Sequence, residues 1–297
     1  MLCRCRTSAE TVSRIIIQDI RLAPQVAHYR MTSPSFSRLA LSVALCLAAG
    51  CGKTTPESAP SPVALPVAAS ADALVRLMHG RYTGQWYHTL TFVQRNERYL
   101  ANGSADPSTW YEAMRIPGAL RIDITPLSQK NGILFVRDSQ FVVGGGRVTN
   151  AIVSVHPLLV LGFDVYADPP ERTIQRLRKL GFDLSRIHEA TWQGRPAYVV
   201  GAAAGDMRRR QFWIDRERLV FVRLLQPDRD TTKASEIQFN NYRPLGKGWV
   251  APEVVFLTDG KPTFVERYED IHFDVELAED TFNPRAWNAV AHWHGQR

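Results

Sequence analysis

The stretch Phe212 to Leu225 reads FWIDRERLVFVRLL and predicts a β-hairpin that turns near Arg216 and Glu217. Both faces of its second arm carry apolar side chains: Leu219, Phe221 and Leu225 on one, and Val220, Val222 and Leu224 on the other. A strand that is apolar on both faces must be covered on both or must line a cavity. The hairpin therefore predicts a sheet that encloses apolar space.

Period-two patterns recur on both sides of this hairpin and predict roughly ten strands. Examples are WYHTLTFVQR, RIDI, GILFVR, QFVVGG, PAYVVGA, EIQFNNY and WVAPEVVFL. Three helical segments interrupt them. The first begins after Ser70 and ends at Gly80, HPLLVLGF reads as a short buried helix, and ADPPERTIQRLRKLG reads as a helix capped by Asp168. This order predicts an α+β fold, a largely antiparallel sheet curled around helices.

The N-terminal region predicts export. From Met31, an Arg-bearing start, an apolar run and the small residues of 48–50 lead to Cys51, the layout of a signal peptide. Placing the cysteine directly after small residues resembles the lipobox of bacterial lipoproteins, in which the thiol carries a lipid such as palmitate. The alternatives are a signal peptide with an incidental cysteine and a membrane anchor. A phosphate-binding loop is excluded because Leu47 stands where its first glycine is required.

The chain divides into five segments. Residues 1–30 are expected to be a non-translated or disordered extension, and 31–50 the signal peptide. Residues 51–69 form a Pro-rich tether, 70–287 one folded domain, and 288–297 a flexible tail.

The charge balance argues against a nucleic-acid partner. The net charge is +7, but from Cys51 onward the chain carries 30 basic and 27 acidic side chains. A nucleic-acid binder concentrates basic residues in a patch, whereas here they are spread among acids.

Motifs for catalysis or cofactor binding are not found in the sequence. His188 and Glu189 begin a zinc-helix pattern, but Trp192 occupies the place of its second histidine. The sequence also has no G-x-S-x-G serine nucleophile motif. We therefore expect no metal, no cofactor and no enzymatic activity, with a hydrolase as the remaining enzymatic alternative.

Large apolar side chains on the predicted strands are the candidate binding residues. As a set they are compatible with an apolar pocket inside a curved sheet. The candidates are Trp86, Phe92, Phe135, Phe141, Trp213, Phe221, Trp249 and Phe256.

The order of elements resembles the LolA/LolB-like superfamily of periplasmic lipoprotein carriers. The resemblance rests on ALVRLMHGRYTGQWYHTLTFVQRNERY, on RRRQFWIDRERLVFVRLL and on the closing FNNYRPLGKGWVAPEVVF and DIHFDVELAEDTFNP. It implies an unclosed β-barrel with helices over its concave side, holding a lipid or a lipoprotein acyl chain. The candidate lid comprises Leu158, Leu159, Leu161 and Phe163.

Two functional hypotheses follow from the resemblance. The first is a membrane-anchored periplasmic lipoprotein that binds or transfers a lipid. Gly52 and Lys53 after the cysteine favour the periplasmic face of the outer membrane over the inner membrane. The second is an envelope lipoprotein that binds a protein partner or senses envelope stress. A connected apolar cavity would favour the first, and a barrel filled by its own side chains would favour the second.

Overall fold

Thirteen antiparallel strands form one large sheet in the computed structural model of the protein, which describes residues 67–227 and 233–296. The signal peptide, Cys51 and nearly all of the tether lie outside the described residues. The strand order is β6-β5-β4-β3-β2-β1-β15-β14-β11-β10-β9-β8-β7, and β12 and β13 form a separate two-stranded sheet. Strands β6 and β7 are the two edges, so the large sheet is unclosed.

The strands are short to medium in length, and more numerous than the ten or so that the sequence predicts. Their bounds are β1 Thr89–Tyr99, β2 Ala105–Arg115, β3 Ala119–Ile124, β4 Asn131–Val136, β5 Ser139–Gly144, β6 Arg147–Val153, β7 Ile187–Trp192, β8 Arg195–Val200, β9 Gln211–Asp215, β10 Val220–Pro227, β11 Ala234–Asn240, β12 Arg243–Leu245, β13 Gly248–Val250, β14 Glu253–Thr258 and β15 Lys261–Phe273.

Three α-helices within residues 67–227 and 233–296 complete the α+β fold: α1 Ala71–Tyr82, α2 Pro157–Gly162 and α3 Pro170–Lys179. Short 3-10 helices span Leu127–Gln129, Asp164–Tyr166, Glu279–Phe282, Pro284–Ala286 and Trp293–Gln296. None of the helices within the described residues is long and apolar enough to cross a membrane.

The hairpin that predicts the fold is confirmed. Strands β9 and β10 pair antiparallel, with Phe212 opposite Leu224, and the connecting turn contains Arg216 and Glu217. The β10 residues from Val220 to Gln226 are all buried, as the apolar pattern on both strand faces requires.

Two helix-boundary predictions need correction. Helix α1 begins as expected, with the Ser70 hydroxyl accepting a hydrogen bond from the Ala73 amide, but it continues past Gly80 to Tyr82. Burial of Tyr82 favours this extra half-turn, because its ring is only 3 % exposed. Asp168 does not cap α3; its carboxylate instead accepts a hydrogen bond from the Arg176 guanidinium.

The two faces of the sheet have different covers. On one face, the three helices contribute to a large core with the strands, and α2 packs there. On the other face, the segment after β15 covers β2 to β5 with Phe282, Trp287 and Trp293. Trp293 falls within the expected flexible tail, yet it is only 7 % exposed.

Alternation along β3 separates these two faces. Leu120 and Ile122 point to the helical side, whereas Arg121 and Asp123 contact the C-terminal segment. The neighbouring β4 requires a glycine where that segment approaches most closely. A Cβ at Gly132 would lie 2.6 Å from the Trp287 ring.

Candidate functional site

An apolar cavity lies between the sheet and α2 and is the candidate site. Its volume is about 90 Å³. Seven strands and the α2 region contribute to its wall. The lining residues are Phe92, Gln94, Trp110, Glu112, Met114, Leu120, Ile122, Phe135, His156, Leu158, Leu159, Phe163, Phe239, Phe256, Phe264, Glu266 and Tyr268.

Part of the predicted pocket and most of the predicted lid lie at this cavity. Phe92 on β1, Phe135 on β4 and Phe256 on β14 line its strand side. The lid residues that line it are Leu158, Leu159 and Phe163. Leu161, the fourth candidate, is 1 % exposed and packs in the core rather than at the cavity.

The other five pocket candidates lie elsewhere. Phe141 pairs with Leu134 across β4 and β5 and shares its face, so it packs against the C-terminal segment. Trp86 stacks on Tyr166, with ring centroids 3.8 Å apart, and Phe221 packs edge-on against Phe239.

The remaining two candidates, Trp213 and Trp249, each contact an arginine. The Arg223 guanidinium lies 5.0 Å from the Trp213 ring centroid. Trp249 belongs to the separate two-stranded sheet, where the Arg218 guanidinium lies 4.8 Å from its ring centroid. Neither tryptophan lines the cavity that the structure describes.

Five polar residues line the cavity and are missing from the sequence-based set of candidates: Gln94, Glu112, His156, Glu266 and Tyr268. The Tyr268 hydroxyl donates a 2.8 Å hydrogen bond to Glu266 Oε2. Gln94 Nε2 donates to Asn96 Oδ1, also at 2.8 Å. The cavity is therefore apolar over most of its wall with one polar strip along β1, β2 and β15.

Burial shifts the pKa values of these polar residues away from the charged forms. Loss of solvent raises the pKa of Glu112 well above 4.5, and the negative charge of Glu266 raises it further. Burial also raises the pKa of Glu266 to about 7, against the hydrogen bonds from Tyr268 and Gln94. Burial and the Arg176 charge lower the pKa of His156 to about 4, which keeps this imidazole neutral at pH 7.

The raised carboxyl pKa values predict that the protein loses stability as the pH rises. The folded protein keeps protons that the unfolded chain releases near pH 4.5, so stability falls through pH 7 and beyond. His156 has the opposite effect, but only below pH 6.5, its unfolded value. Urea denaturation between pH 6.5 and about pH 9 should therefore show a falling free energy of unfolding.

A double variant tests whether Glu112 and Glu266 cause this fall in stability with pH. Glu112→Gln with Glu266→Gln removes both titrating groups and should flatten this pH dependence. Glu269→Gln, an exposed β15 carboxylate paired with Arg95, should leave it unchanged. Stability that stays level or increases across this window in the unmodified protein would contradict the assignment.

A buried ion cluster fixes the chain on both sides of the α2–α3 connection. Arg176 Nη1 of α3 lies 2.7 Å from Asp164 Oδ2 and 3.1 Å from Asp168 Oδ2. Arg176 Nη2 lies 2.8 Å from Asp138 Oδ1, in the turn between β4 and β5. Asp164 Oδ1 also accepts a hydrogen bond from the Gly118 amide. The cluster therefore ties the α2–α3 connection to the β2–β3 and β4–β5 turns.

Helix α2 itself is held at its start by a histidine. His156 Nδ1 accepts a hydrogen bond from the Leu159 amide, and the imidazole packs edge-on against Phe135. The helix then contributes leucines to the cavity wall. No group of three or more potential metal ligands is found among residues 67–227 and 233–296.

Solved structures with a similar fold were found. A domain assigned to outer membrane lipoprotein sorting from Vibrio parahaemolyticus superposes with a TM-score of 0.52 at 12% identity, over 73% of this chain and 97% of that one. A DUF1329 family protein from Desulfovibrio piger gives 0.48 at 13% identity, and a LolA superfamily protein from Nitrosomonas europaea gives 0.44 at 11%. These cover 73% of this chain and 97% and 98% of theirs.

No protein-family model and no curated protein matches the sequence of the chain. The fold therefore rests on the arrangement of the elements, an unclosed antiparallel sheet with helices on one face. The described part of the chain shares its fold with the lipoprotein-sorting domain from Vibrio parahaemolyticus, in agreement with the fold that the LolA/LolB-like sequence patterns imply.

Proposed function

We propose that the protein is a periplasmic lipoprotein that binds a lipid or acyl chain, without covalent attachment, in the cavity beneath α2. The observation that carries this proposal is an apolar cavity between the sheet and a short helix of leucines. Apolar walls stabilise an acyl chain by removing it from water, at about 0.8 kcal/mol per buried CH₂. A ligand of this kind requires no cofactor.

The size of the cavity implies that the lid must move when the ligand enters. Pockets that hold small molecules usually measure about 300–1,000 Å³, whereas this cavity measures about 90 Å³. Leu158, Leu159 and Phe163 are the side chains whose displacement would enlarge it. Helix α2 has only six residues and pairs with no strand, so we expect it to be the element that shifts.

The N-terminal sequence supplies the proposed location. A lipid on Cys51 would anchor the domain through the Pro-rich tether, and Gly52 and Lys53 favour the periplasmic face of the outer membrane. An anchored domain with an acyl-chain site fits a protein that receives or transfers lipids at that membrane. Metabolic labelling with a palmitate analogue, lost in a Cys51→Ser variant, would test the anchor.

Native mass spectrometry tests the ligand site. We expect the protein, purified without detergent, to carry or take up one acyl lipid. Leu158→Glu places a charge in the cavity wall and should reduce uptake at least tenfold, because burying a carboxylate among apolar groups is costly. Leu127→Glu is the matched control, because Leu127 is 37 % exposed and lies away from the cavity.

Two outcomes would contradict the proposal. Equal uptake by the two variants would place the lipid outside this cavity. A protein that neither carries nor takes up lipid would favour the alternative, an envelope lipoprotein that binds a protein partner.

A further inference from the structure

We propose that Glu112 and Glu266 bind a protonated amine of the ligand, so that the cavity selects cationic amphiphiles over anionic ones. This inference rests on the proposed function and specifies the class of ligand. It goes beyond an acyl-chain site, because an apolar cavity alone has no reason to contain two carboxyl groups.

Glu112 is the first observation. It is 5 % exposed, lines the cavity and has no hydrogen-bond or ion-pair partner among the described residues. Its neighbours along the same face of β2 are Trp110 and Met114, which also line the cavity. The Glu112 oxygens are not among the fully enclosed unpaired atoms of the described residues, so they are accessible from the cavity. A ligand in the cavity that donates hydrogen bonds to Glu112 would supply the missing partner.

The second observation is the balance of charge around the cavity. Two carboxyl groups line it, yet none of its lining residues in the described chain is a lysine or arginine. His156 does not supply a positive charge, because its pKa of about 4 keeps it neutral. An ammonium group would provide the missing counter-charge and favour ionisation of both carboxyls.

The third observation is the arrangement of Glu266. Its Oε2 accepts a hydrogen bond from the Tyr268 hydroxyl, which holds the carboxylate at the cavity wall. Glu112 and Glu266 lie on β2 and β15, the two strands that flank β1, and both line the cavity. An ammonium group carries three hydrogen-bond donors and no acceptor, which suits two carboxylates. A carboxylate or phosphate in the same place would supply no counter-charge, and either glutamate, once ionised, would repel it.

Titration calorimetry with single-chain probes of equal length tests the proposal. We expect dodecylamine to bind at least about tenfold more tightly than dodecanoate at neutral pH, with dodecanol between them. From Cys51 onward, basic side chains outnumber acidic ones by 30 to 27, which attracts the anion at long range, so a preference for the amine must arise at the site. The isosteric Glu112→Gln/Glu266→Gln variant should lose the preference but still bind dodecanol.

The outcomes separate this inference from the proposed function. Equal binding of the three probes, or tighter binding of dodecanoate, would overturn the amine site while leaving the lipid cavity in place. Failure of all three probes to bind would overturn both proposals. An amine preference that survives the double variant, or is abolished by the exposed Glu269→Gln control, would also overturn the assignment to Glu112 and Glu266.

Discussion

Replacing Arg176 with methionine is expected to lower the free energy of unfolding by about 3–5 kcal/mol, the usual cost of removing one partner from a buried ion cluster. Arg176 is 4 % exposed, and Asp164 and Asp168 are 1 % and 2 % exposed. Methionine keeps much of the side-chain volume but supplies no charge or hydrogen bond. The two aspartates would then remain buried without their main counter-ion. Urea denaturation, compared at one pH, measures the loss.

Arg172→Met is the matched control. Arg172 lies on the same helix and contacts the same Asp168, at 3.4 Å, but half of its side chain is exposed. Exposed pairs contribute about 0–1 kcal/mol, so this variant should be nearly neutral. Similar losses in the two variants would show that the cluster does not hold the α2–α3 connection.

Arg176→Met should also change how the lid over the cavity moves. Because Asp164 connects Arg176 to the backbone next to α2, Arg176→Met should speed hydrogen exchange in α2 and α3 before the sheet. A lid that opens more often should also bind and release an acyl probe faster. Exchange that rises evenly over the whole domain would instead indicate a general loss of stability.

The architecture could be predicted because the strands carry a strong period-two pattern. The β9–β10 hairpin, the buried α2 and the Ser70 cap all follow from local sequence. Strand order could not be predicted in the same way. Strand β15 pairs with β1, which precedes it by more than 160 residues, and no local pattern specifies such a partner.

The lining of the cavity can be predicted only in part, because apolar content does not tell which face of a strand lines a cavity. Phe135 and Phe141 are equally apolar, yet only Phe135 faces the helices. The informative signal was polar. Gln94, Glu112 and Glu266 each interrupt an apolar face, next to Phe92, Met114 and Phe264 respectively. These three polar residues come to line one cavity only because β1 pairs with β2 and β15.

The roles of several buried charged residues could not be predicted from the sequence either. Asp168 has the type and position of a helix cap, but a buried arginine about two helix turns farther on is a stronger partner than an amide. Arg121 and Asp123 lie in the short strand RIDI, where they alternate with Ile122 and Ile124. They are buried because the C-terminal segment folds over them.

Arg121→Met is expected to cost about 3–5 kcal/mol of stability for the same reason as Arg176→Met, but on the opposite face of the sheet. The Arg121 guanidinium donates to both carboxylate oxygens of Asp123, at 2.8 and 3.0 Å, and lies 3.9 Å from the Trp287 ring centroid. Without it, Asp123 stays buried beneath the C-terminal segment. Arg95→Met removes an exposed strand pair and should be nearly neutral.

A second change shows whether the buried charge causes the loss. Adding Asp123→Leu to Arg121→Met removes the unpaired carboxylate and should restore most of the stability, since buried pairs can often be replaced by apolar residues. Hydrogen exchange in Arg121→Met should rise first in residues 279–296, and probe binding should stay unchanged, because this segment covers the face away from the cavity. If Arg121→Met instead changed the rates of probe binding and release, as expected for Arg176→Met, the two faces of the sheet would be coupled. The lid could then not be the element that alone controls access to the cavity.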